Sequence, residues 1–153
     1  KNAFEMISNY YSTMNDKTKF YNIKFYESFG SNDTRKKLIP TIINNYQKNI
    51  ITKVVSKKLF LNIIHTDDII NSIMVLINHN IKSGNYCIKN IHNINIYNLI
   101  NILNKSLRKK IKVKYGNETI DSINHTSLKT LPKWKPNKNI KKIIIDTFKN
   151  ETT

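Results

Sequence analysis

The sequence predicts an α/β fold, in which helices and short strands alternate along the chain. Apolar residues recur every three or four positions in five segments, which is the spacing of amphipathic helices. Between these segments lie short runs rich in β-branched and aromatic residues, which favour strands. The three glycines, Gly30, Gly84 and Gly116, fall at boundaries of the predicted strands. With 153 residues, 39% of them hydrophobic, the chain can form one domain or the larger part of one.

The first two predicted helices enclose a predicted strand. Residues 2–15 have the periodicity of an amphipathic helix. Its apolar side chains are Phe4, Ile7, Tyr11 and Met14. Residues 22–29, NIKFYESF, predict a single strand closed by Gly30. The second helix begins near Leu38, because Pro40 is accommodated only in a first helical turn.

Residues 61–80 predict a strand that runs directly into a helix. Thr66 or Asp67 is expected to cap the N-terminus of that helix. Its expected buried stripe consists of Ile70, Ile73, Met74 and Ile77. By residue type alone, His65, Asp67 and Asp68 also have the composition of a metal or acid–base cluster.

The rest of the chain continues the alternation. Residues 85–90 predict a strand, 95–109 a helix, 111–116 a strand, 117–136 a loop and 139–151 a last helix. The inward side chains of the 95–109 helix are expected to be Ile96, Leu99, Ile100, Leu103 and Leu107.

Four strands alone would form a small parallel sheet that is exposed at one edge. The pattern therefore indicates the second half of a larger α/β unit, and the absence of a methionine at Lys1 points the same way. The phosphate-binding sequence G-x-x-G-x-x-G cannot occur in a chain with three widely separated glycines. The connector at 49–60 has no assigned structure, and Trp134 is expected to be a packing residue.

The formal charge of +16 raises the question of a nucleic-acid partner. However, Arg35 and Arg108 are the two arginines among 26 cationic residues, and nucleic-acid surfaces favour arginine and interleaved aromatic residues. Asn, Ile and Lys, all encoded by A/T-rich codons, make up 75 residues, so codon composition accounts for the lysines. A solvated lysine surface is favoured, and a basic nucleic-acid-binding protein is the last of three hypotheses.

The cysteine content and the hydropathy of the sequence indicate in which compartment the protein is expected. Cys87 is the single cysteine, so the chain has no disulfide and no cysteine-based zinc site, which fits a reducing compartment. No apolar run approaches the ~18 residues of a membrane span. The expected location is cytoplasmic, with no membrane partner.

Four blocks in a fixed order carry a family resemblance. They are KNAFEMISNYY, IKFYESFGSND, LNIIHTDDIINSIMVLI, and a closing pair that begins at SGNYC and at LPKWKP. In this order and spacing they resemble the C-terminal half of an extended short-chain dehydrogenase/reductase, of the NAD-dependent epimerase/dehydratase group that acts on nucleotide sugars. Together the blocks cover nearly the whole chain. The resemblance implies the C-terminal part of a Rossmann-like fold with its smaller substrate-binding subdomain.

The resemblance implies roles for the residues around the cofactor, which would be NAD or NADP. In the family a tyrosine acts as acid or base toward the sugar, and a lysine four residues later lowers the pKa of that tyrosine. Lys1 would be this catalytic and cofactor-binding lysine, and the tyrosine would precede residue 1. An ordinary solvated lysine is the alternative. Phe25, Tyr26 and Ser28 would line the cofactor pocket.

The resemblance also implies a site for a nucleotide-diphosphate sugar. Glu27 would contact the substrate, in a position where the family usually has asparagine. Because a carboxylate repels a diphosphate, the substrate contact must differ here. Some nucleotide-deoxysugar reductases and synthases vary at this position, so the resemblance favours one of these over a standard epimerase. Arg35, Lys36 and Lys37, with Leu38 at a helix start, would hold the diphosphate. The alternative for this cluster is an exposed basic turn.

The third block departs from the family pattern at two further positions. The arginine with which the family grips the diphosphate falls at Leu61, and the adjacent aspartate falls at Asn62. Lys57 or Lys58 is the candidate replacement for that arginine. In the family the His65–Asp68 stretch is structural, so the resemblance implies a helix cap there and no metal.

The leading hypothesis is thus an NAD(P)-dependent nucleotide-sugar epimerase, dehydratase or reductase that makes deoxysugars for surface polysaccharide. Residues 1–60 would end the Rossmann-like core, and residues 61–153 would complete it and add the substrate subdomain. This part alone would be inactive and only marginally stable. A homodimer through the first helix is an expectation by analogy. The second hypothesis is a degenerate or stand-alone sugar-nucleotide-binding module.

Overall fold

Five helices and eight short strands make up the part of the chain that the structure describes. The computed structural model describes residues 2–14, 17–118, 128–136 and 139–152. The helices are α1 (Asn2–Met14), α2 (Leu38–Gln47), α3 (Thr66–Asn78), α4 (Ile96–Ser106) and α5 (Ile140–Thr152). The strands are β1 (Tyr21–Phe25), β2 (Glu27–Phe29), β3 (Thr52–Val54), β4 (Phe60–Leu61), β5 (Ile63–His65), β6 (Gly84–Ile88), β7 (Ile94–Asn95) and β8 (Val113–Tyr115). The predicted α/β class is confirmed, as is the start of α2 at Leu38.

Within the described residues the strands associate in pairs, and the expected four-stranded sheet does not form. β1 pairs with β6, β2 with β5 and β3 with β8, all in parallel, whereas β4 and β7 are antiparallel. The single strand predicted for residues 22–29 is wrong. The chain bends at Tyr26, so that Phe25 is the last residue paired with β6 and Glu27 the first paired with β5.

The β1–β6 pair has a helix on each face. On one face Ile23, Tyr86 and Ile88 pack in an apolar cluster that includes residues of α3. On the other face the Lys24 ammonium lies 2.6 Å from the Glu5 carboxylate of α1. Helices on both faces are the usual surroundings of parallel strands, which need both sides covered.

A second apolar cluster forms the main core. Its fully buried members come from β2, α2, β5, α4 and α5, and they include Phe29, Ile42, Leu103 and Phe148. This cluster draws side chains from both sides of residue 60. The inward face predicted for α4 is confirmed, because its four leading residues are at most 3% exposed and Leu107 packs against them.

The stripe predicted for α3 is wrong. Ile70, Ile73, Met74 and Ile77 are between 47% and 68% exposed. The face that packs instead contains Ser72, which is fully buried, and the half-buried Ile69, Val75 and Leu76. Apolar residues occur on nearly every side of this helix, so periodicity could not choose between its faces.

The predicted cap of α3 is also wrong. The N-cap residue is His65, one position earlier, and its Nδ1 accepts a hydrogen bond of 3.2 Å from the backbone N–H of Asp67. An imidazole nitrogen thereby satisfies a backbone donor that Ser, Thr, Asp or Asn usually satisfies. The packing role of Trp134 is confirmed, since it is 7% exposed and its Nε1–H donates to the Asp68 carbonyl at 3.0 Å.

Apolar surface and one strand edge are left open. Across the described residues, β1 pairs with β6 alone, so the other edge of β1 has no strand beside it. The α3 stripe is exposed, as are the apolar side chains of α1, among them Phe4 at 70% and Met14 at 66%. None of the described helices is long and apolar enough to cross a membrane. Open parallel edges with uncovered apolar helices are unusual, because parallel sheets are normally buried.

The two faces of α3 give a first prediction. Ser72→Leu inserts three carbon atoms into a fully packed position and should lower the free energy of unfolding by about 1–3 kcal/mol. Ile73→Gln, one residue away on the exposed face, should change it by no more than about 0.5 kcal/mol. Urea denaturation of both variants measures these values. A larger loss from Ile73→Gln than from Ser72→Leu would contradict the observed helix orientation.

Candidate functional site

The bend at Tyr26 opens a crevice at the carboxyl end of β1. Up to Phe25 the chain follows β6, and from Glu27 onward it follows β5. In parallel α/β sheets, ligands bind outside the carboxyl ends of strands, where neighbouring segments diverge. A cavity of about 380 Å³ lies here, lined in part by Tyr26, Glu27, Leu38 and Lys53. We refer to it as the Glu27 cavity.

The Glu27 cavity combines one carboxylate, one ammonium and apolar walls. The backbone N–H of Glu27 donates to the Asn62 carbonyl at 3.1 Å, which fixes this residue at the start of β2. Lys53 reaches the cavity from β3, where its neighbours Thr52 and Val54 point inward and are buried. The remaining walls include Val54, Val55, Leu59, Phe60 and Leu61. The cavity can therefore take a ligand with both a polar and an apolar part.

Tyr26 has a phenol that stays protonated. Burial, followed by a hydrogen bond with the Cys87 side chain, raises the pKa of Tyr26 to about 12. The phenol is therefore neutral at physiological pH and poorly suited to act as a base.

Arg35 is held by the chain itself. Its guanidinium pairs with both carboxylate oxygens of Asp33, at 2.8 Å and 2.6 Å. Two further bonds, of 3.2 Å and 3.1 Å, run to the hydroxyl and carbonyl oxygens of Ser28. The hydrogen bond from Arg35 holds the pKa of Asp33 below its ordinary value, and the reciprocal bond raises the pKa of Arg35. A ligand phosphate would have to compete with Asp33 for this guanidinium.

The structure divides the predicted substrate residues between two places. Glu27 and Leu38 line the same cavity, whereas Arg35 and Lys36 line a separate depression of about 390 Å³. Lys37 is the N-cap residue of α2 and makes no side-chain capping bond. The substrate roles of these residues remain predictions.

The residues predicted to bind the cofactor are likewise not brought together in one cavity. Phe25, at the end of β1, is 45% exposed, and the adjacent Tyr26 lies at the crevice. Ser28 is 8% exposed, and its hydroxyl accepts the bond from Arg35, so it is engaged within the chain. Lys1 lies outside the described residues.

Lys53 was missed by sequence reasoning, which proposed Lys57 or Lys58 as the cation. Neither Lys57 nor Lys58 lines the Glu27 cavity. The Lys57 ammonium instead lies over two aromatic rings, 5.7 Å from that of Tyr97 and 5.6 Å from that of Tyr115. The alternation in Thr52–Val54 was the available signal, because it turns the central lysine away from the core.

A cation-binding cluster is not found in the described part of the chain, where no three His, Cys, Asp or Glu side chains converge. Nδ1 of His65 lies 3.5 Å from the Asp67 carboxylate, next to its capping bond. The geometry thus gives His65 and Asp67 a place at a helix start.

Comparison with solved structures gives matches over almost the whole chain. A UDP-N-acetylglucosamine 4-epimerase from Methanobrevibacter ruminantium M1, in complex with UDP-N-acetylmuramic acid, is 17% identical with a TM-score of 0.78, over 97% of this chain and 50% of that one. A dTDP-glucose 4,6-dehydratase from Bacillus anthracis str. Ames, in complex with NAD, is 17% identical with a TM-score of 0.74, over 94% and 48%. RMD from Pseudomonas aeruginosa, complexed with NADPH, is 12% identical with a TM-score of 0.77, over 99% and 53%.

These matches define the fold class. The chain shares its Rossmann-like α/β fold with these structures, and this is the fold that the sequence resemblance predicted. It spans about half the length of the structures that it matches, which is consistent with their C-terminal half. No family model and no curated protein matches the sequence.

The Asp33–Arg35 pair gives a second prediction, for the pH dependence of stability. Because the pKa of Asp33 is lowered in the folded state, its stabilising contribution is complete above the ordinary value of 3.8 and is lost as pH falls through the lowered pKa. Between about pH 5 and about pH 2.5, the free energy of unfolding should therefore fall less steeply in Asp33→Asn than in the native sequence. Urea titrations measure this slope.

The matched control for this prediction is Asp146→Asn, which alters an exposed aspartate of α5. Its slope should match that of the native sequence. Equal slopes for the native sequence and Asp33→Asn would show that the pair contributes nothing to stability.

Proposed function

We propose that the chain is the C-terminal portion of an NAD(P)-dependent nucleotide-sugar epimerase, dehydratase or reductase. The reaction would be hydride transfer at a sugar carbon, and the product a deoxysugar for surface polysaccharide. The observation that carries the proposal is the Glu27 cavity, which opens at the carboxyl end of β1 in a chain with the fold of half such an enzyme.

The second observation that supports the proposal is the strand edge and the apolar helix surface that the described fold leaves uncovered. Across the described residues, the outer edge of β1 has no neighbouring strand, and the apolar stripe of α3 is exposed. A nucleotide-binding half of the same fold would add a parallel strand beside β1 and cover these apolar side chains. The proposed partner of this surface is that half, and the chain alone would lack catalytic activity. The proposed division into residues 1–60 and 61–153 concerns function and does not separate two structural domains, because the main core contains side chains from both ranges.

The cavity residues can act on a nucleotide sugar without the arginine that Leu61 replaces. The Glu27 carboxylate accepts hydrogen bonds from sugar hydroxyls, and it would repel a diphosphate placed beside it. The Lys53 ammonium, on β3, supplies the compensating positive charge. The apolar walls, including Val54 and Phe60, would contact the base or the ring faces.

The described residues offer contacts for the nicotinamide end of the cofactor only. The exposed end of β1 at Phe25 and Tyr26 offers backbone groups and an aromatic surface for a nicotinamide. The chain contains no glycine-rich loop for the dinucleotide phosphates. When bound, NAD or NADP would supply hydride exchange with the sugar. Lys1 is the residue proposed to hold the nicotinamide ribose.

The third prediction tests ligand binding in the Glu27 cavity. Lys53→Ala should weaken the binding of UDP-glucose or dTDP-glucose by about tenfold, because it removes a charge-assisted contact. Glu27→Gln should strengthen it, because it removes a like charge from beside the diphosphate. Isothermal titration of the protein with each nucleotide sugar measures both changes.

The matched control is Lys58→Ala, an exposed lysine outside the cavity, which should leave the affinity unchanged. Equal losses from Lys53→Ala and Lys58→Ala would indicate nonspecific attraction to the basic surface. Absence of saturable binding in the native sequence would reject the proposed substrate class.

A degenerate binding module without catalysis is the second candidate. The engagement of Arg35 by Asp33 and the apolar Leu61 both reduce the charge available to a diphosphate. A nucleotide-sugar-dependent change in reduced-nicotinamide absorbance, measured on the native protein from its source, would support the enzyme. Nucleotide-sugar affinity without that change would support the module.

Three further properties belong to the same proposal. A cytoplasmic location fits the buried, unpaired thiol of Cys87. A homodimer through α1 would cover its exposed apolar side chains, such as Phe4 and Met14. No nucleic-acid partner is proposed, because the lysines are dispersed along the chain.

A further inference from the structure

A second and larger cavity lies between α4, the start of α5 and the segment 90–95. Its volume is about 780 Å³, and the proposed function does not use it. Six of its thirteen lining residues are asparagines, whereas asparagine makes up 24 of the 153 residues of the chain. These asparagines are 90, 93, 95, 98, 101 and 139. Because this enrichment exceeds what the composition accounts for, we treat the cavity as a distinct feature, the amide groove.

One wall of the amide groove is fixed by a buried amide. Asn62 is 3% exposed, and its Nδ2 donates to the Asn90 carbonyl at 3.0 Å and to Asn93 Oδ1 at 2.8 Å. Its Oδ1 accepts from the Asn90 backbone N–H at 2.8 Å. Asn90 Nδ2 in turn donates to the Ile63 carbonyl at 2.7 Å. An aspartate at 62 could not make the two donations, so the amide holds this wall in place.

The part of the lining that α4 contributes offers side-chain amides that are free for a ligand. Asn98 and Asn101 lie one turn apart on α4, and within the described chain their side chains have no hydrogen-bond partner. Asn95 differs, because its Oδ1 caps α4 by accepting from the backbone N–H groups of Tyr97 and Asn98. Each free amide presents two donors and one acceptor, which matches pairs of neighbouring hydroxyl groups.

The lining of the groove includes three basic residues and one exposed aromatic ring. His92, Lys105 and Lys141 line it, and no carboxylate is found among the described residues that do so. Phe60 is 56% exposed and borders both this groove and the Glu27 cavity. An exposed ring beside free amides can stack on the C–H face of a sugar ring, while ammonium groups attract a carboxylate.

We propose that the amide groove binds a sugar acid, a hydroxylated ring that carries a carboxylate. Asn98 and Asn101 hydrogen-bond its hydroxyl groups, Phe60 contacts its ring, and Lys105 and Lys141 hold its carboxylate. This site is separate from the Glu27 cavity and adjoins it at Phe60. It goes beyond the proposed function and does not depend on it, because its ligand need not carry a nucleotide.

The fourth prediction is tested with D-glucuronate as the probe, D-glucose as its neutral counterpart and inorganic sulfate as a plain anion. Ligand-observed NMR titration of the protein should give saturable glucuronate binding, with glucose weaker by about tenfold. Asn101→Leu and Lys141→Ala should each weaken glucuronate binding by about tenfold. Lys142→Ala, the adjacent lysine outside the groove, should leave it unchanged.

Other results would overturn the proposal. Sulfate that displaces glucuronate at equal concentration would indicate an anion site without sugar recognition. Glucuronate affinity that is unchanged in both Asn101→Leu and Lys141→Ala, with far-UV circular dichroism showing both variants folded, would place the ligand elsewhere. Absence of saturable glucuronate binding would reject the site. Because no variant alters the Glu27 cavity and no probe carries a nucleotide, these results are independent of those for the proposed function.

Discussion

The change of pairing partner at Tyr26 is the constraint on which the rest of the structure depends. Phe25 ends the pairing of β1 with β6, and Glu27 begins the pairing of β2 with β5. This bend separates two parallel strand pairs and creates the crevice between them. It brings Glu27 into the same cavity as Lys53, and it places the Ser28 hydroxyl where Arg35 donates a hydrogen bond to it. The candidate site therefore results from the change of strand partner at Tyr26.

The fold buries one face of α3 and leaves its other face, together with the outer edge of β1, uncovered. α3 packs through Ser72 and its half-buried neighbours, while the apolar stripe of α3 remains exposed. The outer edge of β1 likewise has no strand beside it among the described residues. At about 25 cal/mol per Å² of apolar surface, uncovered side chains of this size represent a substantial unrealised stabilisation. The proposed covering half of the same fold would account for both the open edge and the apolar stripe, and it would place a dinucleotide site beside the Glu27 cavity.

The sequence predicted those features that depend on local pattern. The start of α2 followed from Pro40, and the inward face of α4 followed from one narrow apolar stripe. Prediction failed for α3, whose apolar residues surround the helix, because tertiary contacts alone select the buried face. It also failed at Tyr26 and at Lys53, since strand partners and converging side chains come from distant segments. The pairing of Arg35 with Asp33 likewise depends on the conformation of the turn.

The most direct test of this proposed covering half is methionine oxidation at Met74, which is 47% exposed on the α3 stripe. Its rate, measured by peptide mass spectrometry, would be compared between the native protein from its source and the isolated polypeptide of residues 1–153. Since oxidation follows exposure, we predict that Met74 reacts at least about tenfold more slowly in the native protein. Equal rates would show that this face is open in the native protein and would contradict a covering nucleotide-binding half.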